Sequence, residues 1–124
     1  MGFTLTEILI VVVIIAVLAT LALPMLVKTI EKAKIGEVIS NLNLIRTGQK
    51  IYFLEEGNFA GDIVSLNIED PNTPSSRYFD YLITTGYNAT DFTATGTRRD
   101  TAQPPYEGDE YIIQKDGVIT GPLI

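Results

Sequence analysis

The sequence contains neither cysteine nor histidine. Without cysteine there is no disulfide, no thiolate metal site and no sulfur nucleophile. Without histidine the usual general base at neutral pH and the commonest metal ligand are both missing, which excludes Ser-His-Asp chemistry and ordinary zinc sites. Charge is also scarce where the chain begins: residues 1–27 hold a single ionisable side chain, Glu7. At 124 residues the chain has room for one small domain and not for a two-domain enzyme with a cleft between its halves. These absences argue against an enzyme.

What is present falls into three zones. From Ile8 to Val27 no residue carries a formal charge, and Ile, Val and Leu dominate. That run matches the ~20 residues needed to cross ~30 Å of hydrocarbon as a helix. Residues 28–56 are close to charge balance, whereas residues 57–124 carry ten acids against four bases. The acidic third zone opposes non-specific nucleic-acid binding, which depends on phosphate neutralisation by Lys and Arg, although Arg98 and Arg99 form a local basic pair.

Two residues of the first zone break local rules. Pro24 has no backbone N–H to donate and is expected to kink or loosen the helix. Glu7 places a carboxylate at the mouth of the apolar run, where it needs a cationic partner or headgroup depth. Beyond Val27 the helical pattern continues. Ile35, Val38, Leu42, Ile45, Gln49 and Tyr52 recur at spacings of three and four, with Glu37, Asn41, Arg46 and Lys50 between them. The pattern predicts one helix over residues 3–56, its apolar span at 8–27, ending near Gly57 as C-cap.

Residues 57–124 read as a small β-rich head. Tyr78–Thr84 and Asp91–Thr97 are rich in Tyr, Phe, Ile and Thr, and Glu110–Gln114 and Val118–Thr120 flank a Lys115-Asp116-Gly117 turn. So few large aliphatic residues cannot bury much alone. The predicted fold is therefore α+β, a small antiparallel sheet packed on the Ile35–Tyr52 stripe.

At this point the residues resemble a family. Gly2 followed by Phe3-Thr4-Leu5-Thr6-Glu7, an uninterrupted apolar helix, Pro24 and then an amphipathic stretch resemble the class III signal segment of type IV pilins and the related type II secretion pseudopilins. The resemblance covers residues 2 to about 30 closely and the rest by layout. It implies that residues 1–2 are the remainder of a leader, although family precursors carry a basic leader where only Met1 precedes Gly2 here. It further implies cleavage between Gly2 and Phe3 by a prepilin peptidase, with N-methylation of the new Phe3 amine. Glu7 would then pair with the N-terminal amine of a neighbouring subunit, and the backbone around Pro24 would loosen to let helices pack in a fibre.

The partners implied are other copies of the chain, the peptidase, the inner-membrane assembly machinery, and the membrane itself before assembly. The location implied is the bacterial inner membrane and then an extracellular filament or a periplasmic pseudopilus. Lys28, Lys32 and Lys34 follow the span and nothing basic precedes it, so the positive-inside rule taken alone would place the head in the cytoplasm; the resemblance overrides it. Three readings remain open: a pilus subunit, a major pseudopilin, and an anchored minor pilin serving as a ligand-binding module.

No cofactor is expected. Glu107-Gly108-Asp109-Glu110, with Asp116 or Asp100, is either a weak set of oxygen ligands for Ca²⁺ centred on Asp109 and Asp116 or a solvated acidic turn. Asn88-Ala89-Thr90 is a glycosylation sequon or a chance match.

Overall fold

The computed structural model describes residues 2–85, 90–100 and 105–124. The chain divides into two units, Met1–Ala33 and Lys34–Ile124. One helix, α1, runs over Leu5–Glu56 and contributes to both.

Within the first unit α1 starts on a reciprocal cap. The Glu7 amide donates to the Thr4 hydroxyl (3.1 Å), and the Thr4 amide donates back to Glu7 Oε2 (2.9 Å). Two of the four amides that a helix start leaves unpaired are thereby satisfied, and the helix begins at Leu5, with Phe3 and Thr4 ahead of it. The helix continues through Pro24 without interruption. A proline at 24 offers no amide to the carbonyl of Thr20. The Thr20 and Thr29 hydroxyls each donate to the carbonyl four residues back, Ala16 and Met25, at 2.8 Å, a contact that lets a polar side chain ride on an apolar helix.

In the second unit the predicted stripe is the floor of the core. Ile35, Val38, Leu42 and Ile45 are buried against Phe79, Tyr81 and Ile83, Phe92 and Ala94, and Tyr111 and Ile113. The sheet is an antiparallel meander of β1 (Phe79–Thr84), β2 (Thr93–Arg98), β3 (Glu110–Gln114) and β4 (Ile119–Thr120), in that spatial order. Its register sets Tyr81 opposite Gly96 and Gly96 opposite Tyr111, and Ile83 opposite Ala94 opposite Ile113. The period-two alternation of strands then sends one set of side chains to the helix. Gly96 faces the helix at close range: a Cβ there would collide with Val38 and press on the Tyr81 ring. The α+β architecture thus stands as read from the sequence.

Polar clips hold the parts that lack regular structure. Fully buried Gln49 donates from Nε2 to the Ala60 carbonyl and accepts from the Ala60 amide, both at 2.8 Å, fixing the chain just beyond the helix. Gly57, at φ +79°, ends α1 with its amide donating to the Phe53 carbonyl at 2.8 Å. Asn72 does the same work at the outer edge of β1, donating to the Tyr81 carbonyl (2.9 Å) and accepting from its amide (2.8 Å), which leaves less of that edge open to other chains. The Tyr81 hydroxyl lies between Asn41 (2.9 Å) and Glu37 (3.2 Å). Burial pushes its pKa well above the ordinary tyrosine value, with the Glu37 charge adding to the effect.

Candidate assembly site

Among its described residues, the regular structure of the first unit is the first part of α1 alone. Its most apolar stretch is wholly exposed, and from Ile8 to Leu26 the large side chains all face outward into whatever surrounds the helix. Among the described residues α1 is long and apolar enough to cross a membrane. An apolar surface on every side of a helix must be covered by lipid or by protein.

Glu7 stands at the start of that surface. One carboxylate oxygen is held by the Thr4 amide, and among the described residues no cation reaches either oxygen. The capping bond aims the group toward the chain start. Phe3 is 84% exposed and Gly2 has open space around it, so the Gly2–Phe3 peptide is sterically accessible. Pro24 and Glu7 are both on α1 and do not touch; each acts on its own stretch of the helix.

The two acids considered for Ca²⁺ are not brought together with a third. Asp116 Oδ1 accepts from the Val118 amide at 3.0 Å within the β3–β4 turn, while the Asp109 backbone pairs with Arg98 and Tyr106. Among the described residues no group of three or more acidic side chains is placed to hold a metal ion. Asn88 lies outside the described residues.

Three features of the second unit were not read from the sequence. Arg98, one of the basic pair, is buried; it donates to the Tyr78 carbonyl at 3.0 Å and lies over the Tyr78 and Phe79 rings. Arg99 donates to the carbonyls of Ser75 and Arg77, and shares Asp80 with Arg77. The guanidinium groups therefore staple the connector to the sheet, and the local basic pair is largely spent inside the head. The third feature is an apolar depression at the end of α1, lined by Lys50, Phe53, Leu54 and Phe59. The signal for it was Phe53-Leu54 standing next to Glu55-Glu56, outside the helix's buried stripe.

No known family profile matches the chain. The chain is 41% identical over 59 residues to the type IV major pilin protein PilA of Myxococcus xanthus, a match covering 48% of this chain and 27% of that one. It thus spans about a quarter of the length of the relative it matches. A solved type IV pilin from Shewanella oneidensis superposes with a TM-score of 0.48 at 11% identity, over 70% of this chain and 90% of the other. The sequence match supports the type IV pilin family, the family that Gly2 to Glu7, the apolar run and Pro24 resemble.

Proposed function

We propose that the chain is a structural subunit of a type IV pilus-like extracellular filament, assembled through its apolar N-terminal helix. The observation that carries this reading is Glu7, a carboxylate that no cation reaches among the described residues, at the head of a helix whose apolar stretch is exposed on every side. Lipid covers that helix before assembly, and copies of the same helix cover it afterwards. The peptidase cuts between Gly2 and Phe3 and methylates the Phe3 amine. That amine then meets Glu7 of a neighbouring copy. An unpaired carboxylate in an apolar setting is costly, so the pair admits only subunits in the correct register.

Pro24 has a part in the same step. With no amide at 24 the helix holds less tightly there, and packing against neighbours can open the turn that lipid keeps closed. The head supplies the outer surface, and its role is assembly rather than catalysis. The major-pilin name of the relative supports a pilus subunit over a single-copy anchored module.

The test is Glu7→Ala in cells producing the chain. The subunit is expected to stay in the membrane at its normal level while filaments sheared from the cell surface fall at least about tenfold, since removing one partner of a desolvated pair costs about 3–5 kcal/mol. An undiminished filament yield contradicts the assigned role of Glu7.

A further inference from the structure

The end of α1 is electrostatically unfinished. Its last turn contains Glu55 and Glu56 and no base, although a helix C-terminus already carries a partial negative charge. From residue 51 to residue 76 there are five acids and not one Lys or Arg. Both carboxylates are exposed, and neither has an ion-pair or hydrogen-bond partner among the described residues. Beside them Leu54 is 85% exposed and Phe53 37%, at the rim of a shallow depression of about 240 Å³. That rim is firmly built: the Phe53 ring packs on Phe59 at 4.7 Å between centroids, and Phe59 on buried Phe92 at 5.1 Å. A rigid apolar surface edged by unpaired acids calls for an apolar partner edged by bases.

The same chain carries such a partner. Lys28 and Lys32, one turn apart on a single side of the helix, are exposed and have no ion-pair or hydrogen-bond partner among the described residues. Met25, 73% exposed, lies just ahead of them, and lysine stems add apolar length of their own. We propose that the Lys28–Lys32 turn of one copy docks on the Phe53–Glu56 end of α1 of a second copy, an inference that rests on the filament reading above. The two surfaces differ, so each copy offers one and receives the other. A heterologous contact of that kind propagates in one direction and need not close into a ring. Opposite charges would also suppress the wrong pairings, lysine turn on lysine turn or acid end on acid end.

Charge reversal tests the contact. Glu55→Lys/Glu56→Lys lies outside the apolar span, so the subunit should remain in the membrane while sheared filaments drop by about tenfold or more. Combining it with Lys28→Glu/Lys32→Glu should restore the yield to within about threefold of the unmodified chain. Because the chain has no cysteine of its own, Lys32→Cys/Leu54→Cys should give an oxidation-dependent ladder of covalent multimers, with single-cysteine variants stopping at dimers.

Undiminished filaments from the Glu55→Lys/Glu56→Lys variant, or no rescue together with no ladder, overturn this contact and leave the filament reading standing as long as the unmodified chain assembles. Absence of filaments from the unmodified chain overturns both.

Discussion

Single residues set the limits of this molecule. Gly96 shows this for packing: the helix and the sheet meet over a position where hydrogen is the only side chain that fits against Val38. Gly96→Val should therefore lower the stability of the purified protein in detergent by about 1–3 kcal/mol, as overpacking a core does. A chemical-unfolding midpoint equal to that of the unmodified chain would contradict the close approach. Glu7 shows the same for the start of the apolar run. Its sequence position next to an apolar run was enough to single it out, because a carboxylate there has few ways to be stable. Its bond to the Thr4 amide went unread, although Thr4-Leu5-Thr6-Glu7 has the spacing of a capping box. The burial of Arg98 was not legible for a general reason. A guanidinium is expected at the surface, and its burial depends on a carbonyl and two rings that only the β1–β2 register brings to it.

At the scale of elements, α1 depends on two different environments for its two halves. The apolar stretch of its first half is exposed, and its second half is the floor of the core. The chain leaves that floor through Gln49, whose amide satisfies both backbone groups of Ala60 in a buried site. Gln49→Ala would leave a donor and an acceptor of Ala60 unpaired, at about 1–3 kcal/mol each. Faster hydrogen exchange at Ala60 and a lower unfolding midpoint are expected; unchanged exchange would show that the clip does not hold the segment.

The helix was legible because hydrophobic spacing persists for its whole length, and the four strands because aromatic and β-branched residues cluster between Pro- and Gly-rich connectors. Strand ends were less legible. The reading began β2 at Asp91, but Asp91 Oδ1 accepts from the Phe92 and Lys115 amides, and this turn delays the strand to Thr93. Between α1 and β1 the chain forms no regular helix or strand. In that segment the buried residues Ala60, Ile63 and Leu66 recur at every third position, but along turns and bends rather than a helix or strand, so the spacing named no element and their place in the core could not be read in advance.

For the molecule as a whole, the sequence solves one problem in two steps. On the proposed reading, an apolar helix exposed within its own unit is kept in lipid first and among identical helices later, and the acidic head, in a chain of net charge −6, would keep the assembled product soluble. The proposal of processing at Phe3 followed by assembly rests on the type IV pilin likeness, the exposed apolar helix and a Glu7 that no cation reaches among the described residues. The most direct measurement is mass spectrometry of the N-terminal peptide of material sheared from intact cells. The account predicts a peptide that begins at Phe3 and carries one added methyl group on its amine. Chain absent from the sheared fraction, with Met1-Gly2 still attached in the membrane-bound form, would contradict it, because no Phe3 amine would then exist for Glu7 to meet.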